Sequence, residues 1–224
     1  MGYDQIKRVM DLILAGVGIV VLFPVFLLIF LILKIEEPKR KTIFKQERIG
    51  REGNKFMIFK FRSLNEEAPD NIPSKNLKRD EFETRMGRIM RITGLDELPQ
   101  LLNVLRGDMS IIGPRPLITE EGSIHENRMV KGIYSLRLGI TGLAQIHGGN
   151  TISDQEKLYW DYEYLKNRSI FMDFVIGVKT VFLCVSGHIT PKRTSTEKYS
   201  KESYVRHMVI PDRNEEEDIA VREV

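Results

Sequence analysis

The sequence predicts an α+β protein, mainly α with a small β-hairpin: an N-terminal re-entrant membrane helix-kink-helix, then a compact cytosolic domain with interfacial amphipathic helices. Three observations predict it. Residues 12–33 form a run of 22 residues without a charge, and Pro24 stands near its middle. The rest of the chain mixes short strand-like runs with stretches of helical period. Overall it is 29% charged and 42% apolar, the balance of a globular domain. With 224 residues there is room for one compact domain plus appendages. The expected boundaries are a membrane hairpin at 1–36, a cytosolic domain at 37–193 and a charged tail at 194–224.

The apolar run is long enough, as a helix, for a bilayer core of about 30 Å. A cleavable signal peptide is disfavoured because Lys34-Ile35-Glu36-Glu37-Pro38 follows, with no small-x-small cleavage site. A buried core helix accounts poorly for apolarity on every face. Lys7 and Arg8 precede the run, and Lys34, Lys39, Arg40 and Lys41 follow it, so both flanks carry the charges that cytoplasmic flanks attract. Pro24 removes the hydrogen bond to the Val20 carbonyl and kinks the helix. Two short arms bent at Phe23-Pro24 return both ends to the cytoplasm, so a re-entrant hairpin is expected over a span. The backbone groups freed at the kink then need local partners.

Beyond the membrane segment, Thr42–Glu47 and Lys55–Phe61 read as strands, and Gly50-Arg51-Glu52-Gly53-Asn54 between them reads as the turn of a hairpin. Ala68 to Asn76, with Pro69 and Pro73, reads as loop. Helical spacing of Phe82, Met86, Ile89 and Met90 predicts a helix from about Leu77 to Met90. A second helix is expected from Glu97 to Leu105, ended by Gly107. Gly113-Pro114-Arg115-Pro116 is a rigid turn with no capacity for a central strand. Asp154–Lys166 reads as a helix with a stripe of Leu158, Tyr159, Tyr162 and Leu165. Phe171–Val185, apolar except for Asp173, Lys179 and Thr180, is too short and too charged to span; it suits a helix in the membrane interface or an ordinary core helix equally. From Thr194 the chain is polar, and 13 of its last 31 residues are charged, as on a solvated tail.

Composition narrows the chemistry. Cys184 is the only cysteine, which rules out an intrachain disulfide and a cysteine-based zinc site. His125, His147, His188 and His207 lack the i, i+4 spacing of a helical metal site, so a histidine-bound metal is not expected. Net charge is +3, and Lys34 to Arg62 holds ten Lys/Arg against four Asp/Glu. Such a stretch suits nucleic acid, lipid headgroups or phosphorylated substrates, and its sign alone does not choose. No P-loop lysine motif, G-x-G-x-x-G or G-x-S-x-G occurs.

Asp96 stands where the second helix should start. As a plain N-cap it should bond the third helical N–H, but that residue is Pro99, which has none. A helix start also attracts anions such as phosphate, so Asp96 can alternatively attack phosphorus or hold a metal. Adjacent helical residues point about 100° apart, so Asp96 and Glu97 cannot duplicate one another; one suits a nucleophile and the other a metal or proton partner. Arg91 and Arg115 have guanidinium forks that match a diphosphate.

Lys7-Arg8-x-x-Asp11, Leu95-Asp-Glu-Leu-Pro-Gln100, Gly107-Asp-Met-Ser110, Gly113-Pro-Arg-Pro116 and Gly139-Ile-Thr-Gly-Leu-Ala-Gln145 together resemble the bacterial sugar transferases. More narrowly, the chain resembles the small monotopic polyprenyl-phosphate phosphoglycosyl transferases, over roughly residues 5 to 190. The resemblance implies a re-entrant membrane helix and a two-step reaction at the cytoplasmic face of the bacterial inner membrane. Asp96 attacks the β-phosphate of a UDP-sugar and releases UMP; polyprenyl (undecaprenyl) phosphate then takes the phosphosugar, beginning a surface glycan such as capsule or exopolysaccharide. It further implies a Mg²⁺ cofactor near Asp96 and Glu97, and Arg91, Arg115 and Arg137, with Pro114 and Pro116, as the substrate-binding set. Membrane lipids are expected partners, nucleic acid is not, and a homo-oligomer is left open. The form expected is the minimal one, without the extra N-terminal spans of larger relatives.

The sequence departs from the family at three places. After Gln145 it reads His147-Gly148-Gly149-Asn150 where the family commonly has Asn-Gly-Arg-Asn, so the usual arginine is missing at Gly149. Leu138 follows Arg137 where proline is frequent, and Phe23 precedes Pro24 where serine sometimes stands. Three other readings compete with the transferase: a non-catalytic membrane scaffold, a nucleic-acid binder, which the adjoining apolar run disfavours, and a nucleotide-sugar hydrolase.

Overall fold

The structure is a computed structural model that describes residues 2–65, 67–68 and 79–186. Most of the loop expected at 68–76, the start of the helix expected from Leu77, the domain end at 193 and the tail at 194–224 lie outside the described residues.

The apolar segment forms α1, Tyr3–Glu36, a helix of 34 residues with Pro24 inside it, about 51 Å long at 1.5 Å per residue. Val20, Val21, Phe23 and Leu28 are more than half exposed. One stripe of α1 is covered: Asp11, Ala15, Ile29 and Leu33, whose spacing places them on a single helical face. Ala15 packs with Ile58, Val104 and Met109, and Ile29 and Leu33 pack with Phe61 and Met90. Residues on both sides of Pro24 therefore belong to the core of the same domain.

Strands β1 (Ile43–Ile49) and β2 (Lys55–Phe61) pair antiparallel, from Ile43 opposite Phe61 to Ile49 opposite Lys55. This is the expected hairpin, closed at Glu52 and Gly53 by left-handed φ angles of 58° and 77°. The helix expected over 77–90 is divided in two, α2 (Arg79–Phe82) and α3 (Arg85–Thr93). Glu83 leaves the helical path to bridge Leu64, and the Thr84 hydroxyl then caps α3 by accepting from the Gly87 N–H at 2.9 Å. Gly87 presses on the hairpin's end: a Cβ there would stand 1.9 Å from the Ser63 carbonyl oxygen.

After Gly94, Leu95–Glu97 forms a 3₁₀ turn, and α4 (Gln100–Arg106) begins three residues later than expected. Pro99 takes the position before its first turn, and Gly107, at φ 96°, ends it as expected. The Arg8 guanidinium donates to the Val104 and Leu105 carbonyls at 2.8 and 3.4 Å, a cation at the negative end of α4.

A second sheet is the main correction to the expected fold. Strand β3 (Met109–Ile112) pairs parallel with β4 (Leu138–Thr141) through a crossover that contains α5 (Gly122–Val130). Gly113-Pro114-Arg115-Pro116 leaves the end of β3 as a bend rather than the expected turn, with the Gly113 N–H donating to the Thr141 carbonyl and the Pro114 carbonyl accepting from the Gly139 N–H, each at 2.8 Å. A Cβ at Gly139 or Gly142 would stand 2.2 or 2.1 Å from Gly113 backbone atoms. The two glycines of Gly139-Ile-Thr-Gly142 thus let one backbone cross another where no side chain fits.

Helix α6 (Leu143–Ile146) leads to α7 (Asp154–Asn167) and α8 (Ile170–Val185), the last two within a residue of their expected bounds. The inward stripe of α7 is Leu158, Asp161 and Tyr164, with Leu165 partly buried against the same core; of the expected stripe, Leu158 and Leu165 face inward and Tyr159 and Tyr162 do not join it. An aspartate in the stripe hid its true phase. On α8, Asp173 and Ile176 face the core, while Phe171, Phe174 and Phe182 are uncovered. That apolar outer face separates α8 from an ordinary core helix. Asp173 ties it to α1, accepting from Tyr3 Oη and Lys7 Nζ at 2.9 Å each and from Tyr164 Oη at 2.7 Å.

Asn103 on α4 is fully buried and acts as a short extra strand beside β2: Oδ1 accepts from the Phe59 N–H at 3.0 Å, and Nδ2 donates to the Met57 carbonyl at 2.8 Å. Asn103→Leu strands both backbone groups and is expected to cost about 2–4 kcal/mol. Denaturant unfolding of the detergent-purified protein checks this; a loss below about 1 kcal/mol would contradict that role.

Candidate active site

Three pieces of chain converge on Glu97. Its 3₁₀ turn is seated by Leu95 and Leu98 on the Ile29–Leu33–Met90 cluster, so the turn rests on the second half of α1. From β2, Lys60 Nζ donates to Glu97 Oε1 at 2.8 Å. From the turn after β3, Arg115 donates through Nη2 to Oε1 at 2.6 Å and through Nη1 to Oε2 at 3.4 Å. Burial opposes the charge on Glu97, but Arg115 and Lys60 outweigh it and hold the carboxyl well below the usual carboxylate range. Burial pulls Lys60 down, against the pull of Glu97.

Asp96 is placed differently. Its side chain is buried, and it caps neither its own turn nor α4. Among the described residues its carboxylate has no hydrogen-bond partner, so the N-cap alternative fails here. Burial raises its pKa to about 6; Glu97 pushes the same way, while Lys60, Arg91 and Arg115 partly offset it. Two adjacent carboxylates are thus driven apart, one locked as an anion and one poised to titrate near neutrality.

Of the residues singled out from sequence, Asp96, Glu97, Arg91 and Arg115 share this cluster. Arg91 is fixed by Ser63 Oγ at 3.1 Å and Glu83 Oε1 at 3.3 Å. Pro114 and Pro116 flank Arg115 and accept through their carbonyls, from Gly139 N at 2.8 Å and Arg48 Nη1 at 3.4 Å. Arg137 precedes β4, with its carbonyl 2.7 Å from where a Cβ on Gly113 would stand; burial lowers its pKa, aided by the charges of Arg8 and Arg51. Phe23 and Pro24 are exposed on α1, outside the cluster.

Sequence reading missed three members. Lys60 lies 36 positions from Asp96 in a strand whose charges look solvated, and only the pairing of β2 with the 3₁₀ turn reveals it. Arg48 is buried, and burial together with Arg115 lowers its pKa to about 10. Cys184 on α8 comes close enough that Glu97 and Asp96 add to burial in raising its thiol pKa.

At the family departure, Gly149 has φ 54°, which an arginine rarely adopts. His147 beside it stacks on Trp160 with ring centroids 3.8 Å apart. Its Nδ1 lies 2.8 Å from the Leu143 carbonyl, which only accepts, so Nδ1 carries a proton.

Guanidinium and ammonium groups gather around two carboxylates beside a helix long and apolar enough to cross a membrane, an arrangement suited to binding phosphorylated groups. A sequence model of the family described as "Bacterial sugar transferase" matches residues 2–187. The chain is 34% identical over 196 residues to the exopolysaccharide production protein ExoY of Rhizobium meliloti, covering 80% of this chain and 86% of that one. It is 38% identical over 187 residues to the UDP-glucose:undecaprenyl-phosphate glucose-1-phosphate transferase of Caulobacter vibrioides, covering 80% and 69%. It is 37% identical over 191 residues to the UDP-galactose-lipid carrier transferase of Erwinia amylovora, covering 79% of this chain and 39% of that relative. The chain belongs to the bacterial sugar transferase family and is an enzyme of the phosphoglycosyl transferase kind.

The raised pKa of Asp96 has a consequence for stability. Between the unfolded value of 3.8 and the folded value of about 6 the native state holds the proton more tightly, so ionised Asp96 is a net cost at neutral pH, relieved as pH falls through about 6. Asp96→Asn is therefore expected to raise the unfolding midpoint at neutral pH, by on the order of 2 kcal/mol of stability. The gain should shrink below about pH 6, where the wild type protonates. A midpoint that drops, or a gain independent of pH, would count against an isolated Asp96.

Proposed function

We propose that this protein transfers a sugar-1-phosphate from a UDP-sugar to polyprenyl (undecaprenyl) phosphate, releasing UMP, through a covalent phosphosugar on Asp96. The observation that carries the reading is the contrast between the two neighbours: Glu97 is neutralised by Lys60 and Arg115, whereas Asp96 is buried and unpartnered. A nucleophilic carboxylate is best left without a bonded counter-ion, and of the two neighbours only Glu97 is ion-paired, which favours Asp96. In the first step an Asp96 oxygen bonds the β-phosphorus, the bond to the α-phosphate oxygen breaks, and UMP leaves with the electron pair. In the second, a phosphate oxygen of the lipid bonds the same phosphorus and the Asp96 carboxylate departs unchanged. Lys60, Arg91 and Arg115 stabilise the charge that gathers on the phosphoryl oxygens.

Mg²⁺ fits this donor set. Among the described residues no group of three or more His, Cys, Asp or Glu could cage a metal, but Mg²⁺ takes one or two carboxylates and completes its shell with water and substrate phosphates. Asp96 and the loosely held Oε2 of Glu97 are the candidate ligands. Bound there, the ion would neutralise diphosphate charge.

The reaction needs its site at headgroup level on the cytoplasmic face of the inner membrane, and α1 supports a re-entrant, monotopic placement. A helix that crosses a bilayer cannot pack both its halves on a domain confined to one side. Here Ala15, before Pro24, and Ile29 and Leu33, after it, all pack on one domain. Its two ends are tied as well, through Lys7 to Asp173 and Lys34 to the Pro38 and Arg40 carbonyls. The relatives' names concern exopolysaccharide production and transfer from UDP-glucose to undecaprenyl phosphate, which supports a role in the first membrane step of a surface glycan.

The test is UMP release from UDP-glucose, UDP-galactose and UDP-N-acetylhexosamines with undecaprenyl phosphate and Mg²⁺. Without the lipid, UMP is expected to stop near one equivalent per enzyme, and Asp96→Asn should abolish both burst and turnover. With the lipid, activity should fall on the acid side with an apparent pKa near 6, because only ionised Asp96 attacks. Lipid-independent multiple turnover would make the protein a hydrolase instead.

Topology has its own measurement. In a Cys184→Ser background, single cysteines at Gln5 and Glu36 are expected to react with an impermeant maleimide from the cytoplasmic side only. Labelling of either position from the opposite face would establish a span.

A further inference from the structure

We propose that Arg128, paired with Asp161 in the core, is a positioning residue: it holds the backbone of Arg115 and so sets where that guanidinium meets Glu97. The inference rests on the reading of the Asp96–Glu97 cluster as the phosphoryl-transfer site.

The loop after β3 carries Arg115 between two prolines, whose nitrogens cannot donate. Carbonyls are therefore its main handles, and three are taken by side chains. Arg128 Nη1 donates to the Arg115 carbonyl at 2.8 Å, Arg48 Nη1 to the Pro116 carbonyl at 3.4 Å, and His125 Nε2 to the Ile118 carbonyl at 2.7 Å. His125 and Arg128 stand three apart on α5, hence on one face. Because a carbonyl only accepts, neutral His125 carries its proton on Nε2, which leaves Nδ1 to accept from Tyr134 Oη. The α5 face thus grips the loop twice.

Arg128 is 1% exposed, and its other branch, Nη2, meets Asp161 Oδ2 of α7 at 2.5 Å. Its fork is split between a carboxylate fixed in the core and the carbonyl of an active-site residue. A buried ion pair is a poor device for stability alone, since apolar residues of similar volume usually serve as well or better. What the pair supplies that apolar residues cannot is a directed donor to one carbonyl. Displacement of a charge-stabilising group by about 1 Å is enough to slow a positioned reaction about a hundred-fold.

The variant that tests this is Arg128→Met/Asp161→Leu, which removes the pair without leaving a lone buried charge. We expect cooperative unfolding at a midpoint close to wild type, kcat down by about ten- to a hundred-fold, and KM for the UDP-sugar changed far less. Arg128→Lys is the second variant: one ammonium can stay with Asp161 but cannot also span to the Arg115 carbonyl, so it too should lose kcat while folding. A folded double variant with wild-type kcat overturns the proposal. If the double variant does not fold, wild-type activity in Arg128→Lys overturns it. Asp96→Asn in the same assay separates the two layers: if that variant stays active the site reading itself fails, and if it is dead while the Arg128 variants are fully active only the positioning role fails.

Discussion

Glu97 holds the active region together by accepting two cations from two different parts of the fold. Lys60 reaches it from the hairpin and Arg115 from the loop after β3, while its own turn lies against α1. Each of the three is partly buried, so a lost partner would leave a poorly solvated charge, and they meet only if all three segments are in register. The same ionic knot leaves Asp96 with none of those partners. A neighbour with its own counter-ion would be a poor nucleophile, so in the proposed reaction this pairing is what sets Asp96 apart from Glu97.

The rest of the molecule serves that register. Asn103 pins α4 to the open edge of β2, and Gly139 and Gly142 let β4 pass close to Gly113 at the root of the Arg115 loop. Asp173 gathers Tyr3, Lys7 and Tyr164 at the other end, so α1, α7 and α8 are joined by one carboxylate. Polar residues thus do the joining between elements whose apolar faces, on α1 and α8, are turned outward.

Much of this was legible in the chain. The membrane segment, the hairpin, α7 and α8 announced themselves because each is long enough for its period or its turn residues to speak locally. The parallel pair did not: strands of four residues, one carrying glycine, are too short to show alternation, and a crossover leaves no local sign. The phase of α7 was misread because Asp161 sits inside its inward stripe, and only its partner Arg128, 33 positions away, explains an acid there. The site divided in the same way. Asp96, Glu97, Arg91 and Arg115 were found through motifs, while Lys60 and Arg48 sit in strands where a cation is unremarkable until its partner is known. Arg137, carried over by resemblance, stands among the charges of Arg8, Arg51, Asp11 and Asp4.

The covered stripe of α1 also bears on how such a protein can be made. Ile58, Val104, Met109, Phe61 and Met90 are roofed by Ala15, Ile29 and Leu33. Cutting the chain after Glu36 would therefore not release a water-soluble catalyst from an inert tether; it would strip one wall from the hydrophobic interior and withdraw the surface on which Leu95 and Leu98 rest. Anchor and scaffold are a single object in this protein, and lipid or detergent is part of the solvent in which its fold is defined.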